Sequence, residues 1–124
     1  MKRLLLNLTI VLMILFLQGV SFAGDAERQQ SEFYYADVPY ESEVIKSSAG
    51  TVFGITMSAV TANGWVAVYD VSSASDITSS TEPKIEVQQA TQYNTGGKDF
   101  PDGLKFYNGI VTEGDNAQGV IYYY

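Results

Sequence analysis

The side chains able to do chemistry in this chain are carboxylates, amines and phenols, because its 124 residues include no His and no Cys. That removes thiol nucleophiles, Ser–His relays and the zinc sites that depend on those ligands. Asp70, Asp99, Asp102, Glu113 and Asp115 fall near expected turns, which would bring them toward one end of a β-structure. Two of them about 5–9.5 Å apart across a cleft would suit glycoside hydrolysis. Carboxylates in turns also cap backbone N–H groups, and a small β-domain has little room for a cleft. The expectation is a protein without catalytic activity. Asp99-Phe100-Pro101-Asp102 and Glu113-Gly114-Asp115-Asn116 offer the hard oxygens that calcium prefers. Neither has the spacing of a calcium loop, which must supply six or more oxygens, so no metal or cofactor is expected.

Aromatic residues carry more information. All nine Tyr and the single Trp lie beyond residue 23. Trp65, Tyr93 and Tyr107 sit beside turn signals, where an exposed ring can stack on a sugar or anchor a protein interface. Phe33-Tyr34-Tyr35 forms a second group in a polar lead-in. It reads either as part of a loose tail or as an assembly arm that docks on the body or on a neighbour.

The elements that must position these groups follow from the pattern of apolar residues. Residues 1–23 have the form of a removable export signal: Lys2 and Arg3, an apolar run over 4–17, then Ser21-Phe22-Ala23 before Gly24. A run of about 14 residues, interrupted only by Asn7 and Thr9, suits a signal core, whereas a spanning helix needs about 20. Cleavage would leave no membrane span and place the product in the periplasm, on the cell surface or outside the cell. Residues 24–42 are expected to form a flexible N-terminal arm, and residues 43–124 the folded domain. With no disulfide available, packing and strand pairing must supply its stability.

From residue 43 the apolar period is two. Phe53, Ile55 and Met57 alternate with polar residues, and Val66 and Val68 follow after Asn63-Gly64, a pair suited to a tight hairpin turn. The stretch 72–82 is Ser-rich and reads as an exposed loop. Pro83 then opens a strand with Ile85 and Val87 inward. Turns are expected at 93–98 around Gly96-Gly97, at Phe100-Pro101-Asp102-Gly103, at Asn108-Gly109 and at 113–116. Leu104, Phe106 and Val120 complete the expected interior, and the last strand carries Tyr122, Tyr123 and Tyr124. Short strands separated by turn signals, with no amphipathic helix, predict an all-β, antiparallel sandwich of about six to eight strands, jelly-roll-like or Ig-like.

Four segments together resemble small β-sandwich structural proteins of tailed phages. They are Gly50-Thr51-Val52-Phe53-Gly54-Ile55, the run 62–70 ending Val68-Tyr69-Asp70, the run 100–110 beginning Phe100-Pro101-Asp102-Gly103, and Val120-Ile121-Tyr122-Tyr123. The resemblance implies a virion-associated structural role without catalysis.

Charge narrows the partners. The net charge is −7, and beyond residue 23 only Arg28, Lys46, Lys84, Lys98 and Lys105 oppose 14 acidic residues. A nucleic-acid surface needs a basic stripe, so no nucleic-acid partner is expected. The reading is an exported structural or interaction domain whose partners are other proteins, including further copies assembling into an oligomer or filament. The alternative is a small carbohydrate-binding module that uses Trp65, Tyr93 and Tyr107.

Overall fold

The computed structural model describes residues 28–35 and 41–124. The expected leader lies outside the described residues. Eight strands account for most of what is described: β1 (Gln29–Tyr35), β2 (Glu41–Lys46), β3 (Gly50–Ala59), β4 (Gly64–Tyr69), β5 (Ile85–Gln89), β6 (Thr95–Phe106), β7 (Ile110–Asp115) and β8 (Ala117–Tyr123). They form two antiparallel four-stranded sheets, ordered β1-β8-β3-β6 and β2-β7-β4-β5. Two packed sheets bear out the expected sandwich, and this strand order is that of a jelly roll rather than an Ig domain. Among the described residues, no helix is long and apolar enough to cross a membrane.

Between the sheets lie Val52, Ile55 and Met57 of β3, Val66 and Val68 of β4, Ile85 and Val87 of β5, and Phe106 of β6. Ile110, Ala117 and Ile121 join them from β7 and β8. Each large apolar side chain fully removed from water contributes about 1.5–3 kcal/mol. The loop between β4 and β5 runs where it was expected and contains one 3-10 turn, Ala74–Asp76, capped by the Ser73 hydroxyl.

The chain changes sheet at nearly every connection, and β4–β5 is the one consecutive pair of strands that are also hydrogen-bonded neighbours. This corrects the expected hairpin at Asn63-Gly64. Asn63 does adopt a positive φ of 62°, yet β3 pairs with β6 and β8 while β4 pairs with β5 and β7. The turn residues fix a reversal of direction, not the partner that the returning strand finds. Asn108-Gly109 likewise hands the chain from β6 in one sheet to β7 in the other.

Other turn assignments move by a few residues. Gly96-Gly97 lies inside β6, and the reversal before it is made at Tyr93, with φ 61°. Glu113 and Asp115 belong to β7, so the link to β8 turns on Asn116 alone, with φ 50°.

Two phase errors have definite causes. Phe53 was expected inside, but the register of β3 against β8 slips between Val52 and Gly54. The extra residue is Phe53, which leaves Val52 and Ile55 buried on either side of it. The Phe53 ring is partly exposed and carries the Arg28 guanidinium 4.3 Å above it. In β8 the buried residue is Ile121, and Val120 points away from the core. That phase is set by β1, whose Phe33 and Tyr35 lie opposite Gly119 and Ala117. A Cβ on Gly119 would sit 2.8 Å from the Phe33 ring and 2.8 Å from the Met57 Cα, so a side chain at that position cannot face inward beside the ring.

The described part of the N-terminal segment is no loose tail: its aromatics dock on the body. Gln29–Tyr35 is an edge strand of the first sheet, not part of a separate arm, and β2 already begins at Glu41. Phe33 and Tyr35 are buried and stack with ring centres 5.5 Å apart. Their two large rings supply apolar area that this small core would otherwise lack.

Candidate functional site

Phe33 and Tyr35 dock on the body of the sandwich, and of that group Tyr34, 56% exposed on the opposite face of β1, is left to meet a neighbour. The Tyr35 hydroxyl meets the Thr112 hydroxyl, and Thr112 donates in turn to the Glu43 carbonyl at 3.4 Å. This chain of bonds ties β1 of the first sheet to β7 and β2 of the second. Burial, followed by the nearby charges of Glu43, Glu41 and Glu113, outweighs the Thr112 bond and pushes the Tyr35 hydroxyl up to about 12.

Trp65, Tyr93 and Tyr107 do not converge. Trp65 is half-buried on the outer face of the second sheet, between Gln88 of β5 and Asp115 of β7. It borders a hollow of about 370 Å³ with Asn63, Gln88, Gln89 and Ala90. Tyr93, 69% exposed, projects from the turn between β5 and β6 at the same end of the sandwich. That turn is knitted to the β3–β4 turn by the Asn63 N–H on the Ala90 carbonyl at 3.2 Å. Tyr107, 74% exposed, lies at the far end of β4. At about 3.3 Å per strand residue, Trp65 is roughly 16 Å from Asp70, which holds Tyr107.

Asp70 organises that far end. Its carboxylate accepts from the Lys84 ammonium at 2.7 Å, from the Tyr107 N–H at 2.9 and 3.1 Å, and from the Asn108 N–H at 2.7 Å. Partial burial pushes its pKa up, but the Lys84 bond, the two backbone N–H donors and the Lys84 charge prevail and hold it at about 2. Lys84 also donates to the Lys105 carbonyl at 2.7 Å, and its ammonium lies within 5.1 Å of the Phe106 and 4.9 Å of the Tyr107 ring centres. This clasp joins the second sheet to the turn that follows β6.

The carboxylates considered for catalysis and calcium are dispersed. Asp70 is committed to the clasp, Asp99 and Asp102 lie along β6, and Glu113 and Asp115 along β7 in the other sheet. Among the described residues no three His, Cys, Asp or Glu side chains gather as metal ligands.

A further candidate surface is the outer face of the first sheet. Tyr34 pairs with Gln118, Glu32 with Val120 and Gln30 with Tyr122, so these side chains share that face. Glu32, Tyr34, Thr56, Ser58, Thr95, Gln118 and Val120 line a shallow hollow of about 420 Å³, in which Glu32 is the one charge among the described residues. Ser58 and Thr95 hydroxyls bridge β3 and β6 at 3.0 Å. The sequence pointed to Tyr34 and to Tyr122 on the last strand, but not to their meeting on one face with Glu32, Gln118 and Val120. The available signal was the small-residue alternation Ala117, Gly119 opposite Phe33 and Tyr35, which places Gln118, Val120 and Tyr122 outside. Comparison with protein-family models, with curated proteins and with solved structures found no match.

Proposed function

We propose that this chain is a non-catalytic, exported structural domain that associates with further copies of itself through the outer face of its first sheet. The observation that carries the reading is the composition of that face: Tyr34, Val120 and Tyr122 on adjacent strands, among hydroxyls and amides, with Glu32 as the one charge among the described residues lining the hollow. Tyr is enriched in interfaces, and charged residues are depleted from their centres. In a chain of net charge −7, a hollow with one described charge is also where two copies repel each other least, with Asp99 beside Tyr122 at its border. The absence of His and Cys from the sequence supports a role without catalysis. The leader-like residues 1–23 support export, and the motif resemblance to tailed-phage β-sandwich proteins supports a structural role.

Sedimentation of the chain lacking residues 1–23, over a range of concentrations, tests this. The parent is expected to associate as concentration rises, and the paired substitution Tyr34→Ser, Tyr122→Ser to remain monomeric with an unchanged circular dichroism spectrum. A parent that stays monomeric throughout, or a paired variant that associates equally well, refutes the reading.

A further inference from the structure

In an acidic protein, the grouping of lysines at the Tyr107 end stands out. Of the five basic residues beyond the leader, Lys46, Lys84 and Lys105 all lie there. Lys84 is consumed by Asp70, but no ion pair among the described residues joins Lys46 or Lys105 to a carboxylate. These two line a hollow of about 450 Å³ together with Ala49, Gly50, Thr51, Phe106, Tyr107 and Tyr124, and among the described residues no Asp or Glu side chain borders it.

The fold holds the two cations in place. Lys105 lies opposite Thr51 in the β3–β6 register and donates to its hydroxyl at 3.1 Å. Thr51 is bonded in both directions to the Tyr124 backbone, at 3.0 and 2.9 Å. The Lys46 ammonium lies 5.6 Å from the centre of the Tyr124 ring, and its stem passes beside Gly50. Tyr107 and Tyr124, 74% and 51% exposed, add two rings at the mouth.

We infer that this hollow binds a carboxylate-bearing sugar residue, with Lys46 and Lys105 taking the carboxylate and the exposed Tyr107 and Tyr124 rings taking the C–H face of the pyranose. Ammonium–carboxylate bonds supply the charged contact, and tyrosine supplies a flat, amphipathic surface for the ring. Two cations with no carboxylate partner among the described residues suit a single anionic residue. A long polyanion such as nucleic acid would meet the acidic remainder of the surface and be repelled. The site is separate from the first-sheet face, so either can fail without the other.

The test titrates the chain lacking residues 1–23 with a galacturonate trimer, and with its methyl ester as the neutral control, following amide shifts by NMR at low salt. The acid is expected to bind and to shift amides around Thr51 and Tyr107. The ester, and the paired variant Lys46→Gln, Lys105→Gln, should bind about tenfold more weakly or less, and added salt should weaken the acid's binding. Tyr107→Ala, with its fold checked by circular dichroism, should also lose affinity. Equal binding of acid and ester, undiminished binding by the paired lysine variant, no binding of the acid, or binding of oligothymidylate in its place would each overturn the inference.

Discussion

Two cross-links join the sheets of this sandwich, and they use opposite physics. In the interior, the buried Tyr35 and Thr112 side chains form a neutral hydrogen-bonded chain that ends on the Glu43 carbonyl. At the rim, Asp70 and Lys84 form a charged clasp that also holds the Tyr107 and Asn108 backbone. A buried polar group must find partners or cost its full desolvation, so the interior link depends on each of its members. Water screens the rim clasp, which leaves its ion pair of modest worth and makes its backbone contacts the more consequential part. The first link fixes where β1 sits, and the second fixes the turn that carries Tyr107.

The most damaging way to break the interior link is to unseat β1. Gly119→Val would force a branched side chain against the Thr56 carbonyl and the Phe33 ring, and should cost about 3 kcal/mol or more in denaturant unfolding. Thr112→Val, nearly the same shape, should cost about 1–3 kcal/mol by leaving the Tyr35 hydroxyl without its partner. The equivalent change at the rim, Asp70→Asn, should cost about 1 kcal/mol, because its charge is screened while some backbone bonding survives.

The two links should also fail at opposite ends of the pH scale. Tyr35 has its hydroxyl pKa raised from 10.0 to about 12 in the folded chain, so the unfolded chain loses that proton first. Its contribution is complete below pH 10 and is lost as pH rises toward 12, on the order of 2 kcal/mol in all. Asp70 is held at about 2 against an ordinary 3.8. Its contribution is present above pH 3.8 and is lost as pH falls through 2, on the order of 1 kcal/mol after screening. Urea midpoints of the parent, Tyr35→Phe and Asp70→Asn across pH would separate the two. An alkaline loss that persists undiminished in Tyr35→Phe would break the comparison. The smallest effect is expected at Tyr34→Ser, within about 0.5 kcal/mol, since that ring faces away from both links.

Some of this was legible in the residues themselves. The alternation in Ile55-Thr56-Met57, Val66-Ala67-Val68 and Ile85-Glu86-Val87 specified strands and their buried faces, because side-chain direction along a strand is a local property. The serine-rich stretch 72–82 announced a loop for the same local reason. Asn63 and Asn116 supplied positive φ angles where the chain reverses. What these signals do not carry is pairing. Asn63-Gly64 reads as a hairpin until β3 and β4 are seen in different sheets, since backbone hydrogen bonds are alike whichever strand provides them.

The candidate sites show the same division. Individual exposed tyrosines could be expected from composition, but Lys46, the pair Lys105 and Tyr107, and Tyr124 come from three separate stretches and meet through the β3–β6 register and the bonds of Thr51 to Tyr124. Phe33 and Tyr35 read as an arm because few apolar neighbours surround them in the sequence. They are core because Gly119 and Ala117, more than 80 positions along the chain, leave room for their rings. The residues determined strand formation, acidity and the chemistry that is excluded. The tertiary structure decided which strands pair, which face of β8 is wet and which cations share a hollow, because those depend on complementary shapes brought together from distant parts of the chain.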